Sequence, residues 1–167
     1  MDINELYLHQ FKSFLLKAKL HGYAGGDRLK IRSSDFSKKY LYEEDEFSYE
    51  DRYFGEFVDM GQEIVRYKGI PVWGMSYRGG IFSLYDDNKQ KVFNFLRLAL
   101  NEVDNQLPIR GPTLYQNGTY TYKNCTLGDL MSFTGHEEIW EGNEQICFRY
   151  YLGGMIRGRY NKEMKVI

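Results

Sequence analysis

A chain of 167 residues has room for one hydrophobic core of ordinary size, and its 22 basic and 23 acidic side chains leave a formal charge of −1. No long run of either sign is present, which excludes the electrostatic footprint of a nucleic-acid binder, and no apolar run is long enough to span a bilayer. Cys125 and Cys147 are the only cysteines, too few for a disulfide framework, so both are expected to be reduced and partly buried.

In chain order, Ile3, Leu6, Tyr7, Phe11, Phe14, Leu15 and Ala18 recur at helical spacing, predicting a helix over Ile3–His21 that Gly22 stops and that Asp2 and Glu5 cap. Residues 22–46 carry glycine, serine and mixed charge without a clear period, and read as a long connection with one edge strand. From Glu46 the pattern turns to aromatic and β-branched runs punctuated by glycine. Strands are expected over Phe47–Phe54, Glu56–Met60, Gln62–Tyr67, Ile70–Tyr77 and Ile81–Tyr85, with a tight turn at Lys68-Gly69.

Asp86-Asp87-Asn88 reads as the cap of a second helix, Lys89–Val103, with an apolar stripe of Val92, Phe93, Leu96, Ala99, Leu100 and Val103. After Arg110-Gly-Pro112 a second meander is expected over Thr119–Asn124, Leu130–Thr134, Glu137–Glu141, Gln145–Tyr151 and Met155–Arg159. Residues 161–167 read as a frayed tail.

The chain also repeats itself. Tyr49-Glu-Asp-Arg-Tyr-Phe-Gly55, Gly61-Gln-Glu63 and Tyr77-Arg-Gly79-Gly80 recur as Tyr122-Lys-Asn-Cys-Thr-Leu-Gly128, Gly135-His-Glu137 and Tyr151-Leu-Gly153-Gly154, offset by 73 or 74 residues. The expectation is a single α+β domain built from a duplicated helix-plus-antiparallel-meander unit with pseudo-twofold symmetry, its halves covering about 1–85 and 86–160. The seam between them is the natural place for a pocket.

Glu63 and Glu137 hold the same place in the two copies. Two symmetry-related carboxylates can bind a cation, act as an acid/base pair, or simply cap a glycine bulge and pair with an arginine. Arg110 and the aromatic residues Tyr23, Tyr53, Trp73, Tyr77, Tyr115 and Tyr151 complete the candidate ligand-binding set, against a core-packing role for each. His136 stands beside Glu137, but His9 and His21 are remote in sequence, so no metal is expected. No nucleophile elbow or phosphate loop is present, Gly79-Gly80 and Gly153-Gly154 reading as turn glycines. No cofactor and no catalytic residue is assigned.

The segments Tyr23-Ala-Gly25, Tyr53-Phe-Gly55, Gly61-Gln-Glu-Ile-Val65, Pro71-Val-Trp73, Met75-Ser-Tyr77, Arg110-Gly-Pro112 with Tyr115, Gly135-His-Glu137 and Gly153-Gly154 together resemble an uncharacterised bacterial domain family. Its members occur alone or behind a Cro/C1-type helix-turn-helix. That resemblance implies a sensing half, and brings no catalytic residues with it. No helix-turn-helix pattern is read ahead of the first helix, so direct DNA binding is not expected.

The functional expectation is a non-catalytic, sensor-like, cytoplasmic domain with a small molecule in an aromatic cleft between the halves. The alternatives are a protein-interaction module or homodimer, and an enzyme using a cleft carboxylate. A pocket of a few hundred cubic ångströms would favour the ligand and a flat apolar patch the partner.

Overall fold

The computed structural model describes residues 3–26 and 29–159, with side chains described from Tyr7 onward; the expected capping pair Asp2/Glu5 and the tail 161–167 lie outside what is described. Helix α1 (Ile3–His21) leads through a short 3-10 turn (Tyr23–Gly25) into strands β1 (Ile31–Arg32), β2 (Lys38–Glu44), β3 (Phe47–Gly55), β4 (Val58–Tyr67) and β5 (Ile70–Ile81). A 3-10 segment (Ser83–Asn88) and helix α2 (Lys89–Asn101) follow, then β6 (Leu114–Asn117), β7 (Tyr120–Gly128), β8 (Ser132–Glu141) and β9 (Glu144–Met155).

All nine strands join one sheet in the order β1-β2-β3-β4-β5-β9-β8-β7-β6, every neighbour antiparallel. This corrects the expected balanced α+β duplication of a helix-plus-meander unit about a pseudo-twofold. Strand takes 50 % of the chain and helix 26 %, and the two helices differ in length and in the strand runs they precede. The physical reason is that the glycines expected to break the strands do not break them.

Gly61 and Gly135 sit inside continuous strands of ten residues each, and a Cβ at either would fall within 2.6 Å of the Tyr77 or Tyr151 ring. Each glycine is thus a berth for the tyrosine on the next strand. Gly79-Gly80 and Gly153-Gly154 likewise lie within β5 and β9 and are not turns. The register shifts fall at Val65/Arg66 and Ile139/Trp140, away from the glycines where a bulge was one reading.

Other expectations are displaced too. Within the stretch read as a long connection with one edge strand, Lys38–Glu44 is a seven-residue inner strand paired along its length with β3, and β1 forms the edge. The stretch after Phe82 is 3-10 helix, Asn88 makes no side-chain cap, and β9 ends at Met155 without a further strand among the described residues. Lys68 (φ 51°) and Gly69 (φ 79°) do form the expected hairpin turn, both in the left-handed region.

Both helices lie on one face. Phe11, Phe14, Leu15 and Ala18 of α1 pack on Phe47, Tyr49, Val65 and Trp73, and Val92, Phe95, Leu96 and Ala99 of α2 pack on Tyr122, Ile139 and Cys147. Each fully buried large side chain contributes roughly 1.5–3 kcal/mol, and period-two alternation puts the other set of strand residues on an uncovered face. There Met60, Leu127, Tyr150 and Leu152 are all more than 60 % exposed. Cys147 is buried and Cys125 exposed, and both are free, so only Cys147 has the burial expected of the pair.

Replacing Gly61 or Gly135 by Ala should lower stability by about 1–3 kcal/mol or more, because the new methyl must displace a buried tyrosine ring. Replacing Gly118, where a Cβ meets nothing within 4 Å, should cost less despite its φ of 61°. Chemical denaturation of the three variants checks the ranking.

Candidate functional site

Beneath the helices, three rows of side chains cross the sheet. The middle row runs Tyr53, Gly61, Tyr77, Tyr151, Gly135 and Thr126. On one side of it lie Asp51, Glu63, Met75, Gly153 and Phe133, and on the other Asn124, Glu137, Arg149, Gly79 and Asp59. Asp51, Glu63, Glu137 and Arg149 are each less than 7 % exposed. A buried charge survives only with a partner.

Glu137 is fully engaged. Arg110 donates to it from Nε (3.0 Å) and Nη2 (2.5 Å), Tyr122 donates its hydroxyl (2.7 Å), and Arg149 Nε lies 3.2 Å away. Burial is the largest single influence and works against its charge, but Arg110, Arg149 and the Tyr122 hydroxyl together outweigh it and hold the carboxyl below its usual range. Arg149 also forks onto Asp59 at 2.6 and 3.1 Å, passing over Gly79, where any Cβ would stand 2.6 Å from that of Arg149. A missing side chain on β5 therefore opens the lane that lets β9 reach β4.

Glu63 is paired differently. Its Oε2 meets Lys19 Nζ, which reaches down from α1 and stands 5.6 Å above the Trp73 ring. Neither Lys19 Nζ nor Glu63 Oε2 has a well-aligned hydrogen bond among the described residues. Directly opposite Glu63 stands Asp51, whose Oδ1 accepts a 2.6 Å hydrogen bond from Tyr77. Burial, then the neighbouring Glu63 carboxylate, pushes Asp51 up to about 7. Burial lowers Lys19, with Glu63 opposing.

These groups surround an enclosed cavity of about 40 Å³, lined by Lys19, Tyr23, Tyr49, Asp51, Tyr53, Asp59, Glu63, Tyr77, Arg110 and Arg149 under an apolar roof of Leu96, Leu100 and Ile109. It has room for roughly three waters or one small head group, well short of the few hundred cubic ångströms expected of an aromatic cleft.

Of the residues singled out by sequence, Glu63, Arg110, Tyr23, Tyr53 and Tyr77 line the cavity. Glu137 lies behind Arg110. Trp73 forms the floor under Lys19. Tyr151 bonds to Thr126 in its own row and to Asn124 in the next, and Tyr115 packs on Phe95 towards the β6 edge, so the structure does not bring these two into the site. Sequence reasoning missed Lys19, Asp51, Asp59 and Arg149. Asp51 and Arg149 alternate with aromatic residues on β3 and β9, a signal for inward-facing charge that was legible, whereas Lys19 looked like any polar helix residue.

Residues 51–156 match the family described as Domain of unknown function (DUF5680). The chain belongs to that family. No curated protein and no solved structure matches it. The DUF5680 segment begins at Asp51 and holds every cavity residue from there onward, while Lys19, Tyr23 and Tyr49 come from the chain that precedes it.

Two outcomes follow from this geometry. Glu137→Gln should cost about 3–5 kcal/mol, since it leaves Arg110 and Arg149 buried with less opposing charge, and equilibrium unfolding measures it. Asp51, with its folded pKa raised from the ordinary carboxylate range to about 7, contributes stability that is complete below pH 4 and is lost as pH rises through 7. Asp51→Asn removes that dependence. The variant should therefore match wild type below about pH 4 and exceed it increasingly up to pH 7, levelling off above, by at most about 4 kcal/mol, as thermal melts from about pH 4 to 8 would show.

Proposed function

We propose that this DUF5680 chain is a non-catalytic ligand-binding domain, sensor-like in role, whose ligand occupies the enclosed polar cavity beside the β5–β9 seam. The observation that carries this reading is unused valence in a buried place. Lys19 Nζ and Glu63 Oε2 lack aligned hydrogen bonds among the described residues, and both line the cavity beside the Asp51 carboxyl. Buried ionisable groups held short of full satisfaction destabilise a fold, and are more common at binding sites than in scaffolds. The resemblance to domains that follow a Cro/C1-type helix-turn-helix supports a sensing role.

A second reading, a protein-interaction module or homodimer, is favoured by the uncovered sheet face. There Leu127, Tyr150 and Leu152 border a shallow groove of about 560 Å³ with Arg78 and His136. The third reading, an enzyme, draws on Asp51, a perturbed carboxylate with Tyr77 in hydrogen-bond reach, but no serine, threonine or cysteine is among the cavity residues.

A thermal-shift screen of small cations, anions, sugars and nucleotides separates the first two readings, because a ligand that binds only the folded state must raise its apparent stability. Hits that disappear on Glu63→Gln place the ligand in the cavity. A silent screen, combined with a concentration-dependent dimer that Tyr150→Glu disrupts, would instead favour the exposed face.

A further inference from the structure

The two sides of the site are built alike in register but not in charge. On β7 and β8, Asn124 stands opposite Glu137 and accepts a 2.7 Å hydrogen bond from Tyr151. On β3 and β4, Asp51 stands opposite Glu63 and accepts a 2.6 Å hydrogen bond from Tyr77. The tyrosine therefore needs only a carbonyl-type acceptor. An amide serves that purpose at Asn124, and its Nδ2 also donates 2.9 Å to the Gly111 carbonyl, anchoring the loop that carries Arg110. The negative charge at Asp51 is surplus to the scaffold.

The cations are distributed in the opposite sense. The pair Glu137 and Asp59 is met by Arg110 and Arg149. Asp51 and Glu63 have one directly paired cation, Lys19, and share the more distant Arg110 charge with Glu137, because β5 places Met75, not an arginine, beside Glu63. One corner of the cavity thus holds two facing carboxylates and a single ammonium. The other is balanced. An unbalanced buried carboxylate must take up a proton or find a cation.

We propose that the cavity binds a small monocation, an ammonium or primary-amine head group, which sits against Asp51 Oδ2 and Glu63 and supplies the positive charge that Arg149 provides on the other side. This rests on the cavity being a ligand site and names its ligand class. Binding exchanges one cation for the proton that Asp51 otherwise holds, so the net charge of the corner is unchanged. The groups facing Asp51 are Lys19 from α1, Tyr40 from β2, Glu63 from β4, Tyr77 from β5 and Arg110 from the loop before β6, and among them only Glu63 repels its charge. The surrounding Tyr49, Tyr53 and Tyr77 rings suit a cationic head, and the size of the cavity limits it to a few heavy atoms.

Titration calorimetry with methylammonium chloride tests this, using potassium chloride to distinguish an inorganic ion and tetraethylammonium chloride as a cation too large to enter. Wild type should bind methylammonium saturably and release about one proton near pH 6. Its apparent affinity should rise roughly tenfold per pH unit below 7 and level off above. Asp51→Asn, whose amide reproduces the Asn124 arrangement, should melt no lower than wild type and lose binding by at least about a hundredfold.

Infrared difference spectra of wild type give a readout that needs no variant: a protonated-carboxyl band at pH 6 should vanish when methylammonium is added. Affinity independent of pH, undiminished binding to Asp51→Asn, or a persistent carboxyl band would each overturn the cation assignment. Stabilisation of wild type and Asp51→Asn alike by neutral or anionic compounds would sink the cation while leaving the cavity as a ligand site. No binding of any class would sink both.

Discussion

Arg149 is the contact on which the interior of this protein turns. Its guanidinium carries the only described ion pairs that link β4 to β8 across the seam, forking onto Asp59 and standing beside Glu137. Such a bridge is possible because β5 offers no side chain at Gly79, and because Tyr77 lends its ring, 4.9 Å away, as a surface for the cation. Burial opposes the charge, but Asp59 and Glu137 more than compensate and raise the pKa of Arg149. Removing any one member would strand the others in a medium that cannot solvate them.

That dependence explains the shape of the core. Two apolar clusters, one under α1 and one under α2, flank a polar strip in which tyrosine hydroxyls do the work of solvent. Burial and the adjacent carboxylates hold the Tyr77 and Tyr122 hydroxyls protonated, raised well above their ordinary range. They remain donors throughout the physiological pH range. Tyrosine is abundant here because a ring can be buried as cheaply as phenylalanine while its tip satisfies a carboxylate.

Much of this was legible in the sequence, and the failures have definite causes. The helices and the aromatic strands followed from period and composition, and Glu63 and Arg110 were singled out and do line the cavity. Glycine was the misleading residue. Read by its usual role as a turn former, Gly61 splits a strand; in the structure it lies inside β4 and yields space to the Tyr77 ring on the adjacent strand. Residues 22–46 read as a connection with one unplaced edge strand, and the inner strand Lys38–Glu44 is not located there because its charged residues mask the alternation that buries Tyr40. The difference between Asp51 and Asn124 was present in the aligned copies, but its meaning depends on which cations the folded chain brings beside each, and that information is not local.

The order of the strands also has a consequence for how the molecule comes together. From β1 to β5 and from β6 to β9 every neighbour in the sheet is also a neighbour in sequence, so each run can close hairpin by hairpin with short loops. Only the β5–β9 pairing joins residues far apart, such as Tyr77 and Tyr151, and it must wait until both ladders exist. The same contact also encloses the charged strip. A nascent chain thus keeps its ionised side chains in water through the local steps and commits them to the interior in the single long-range one.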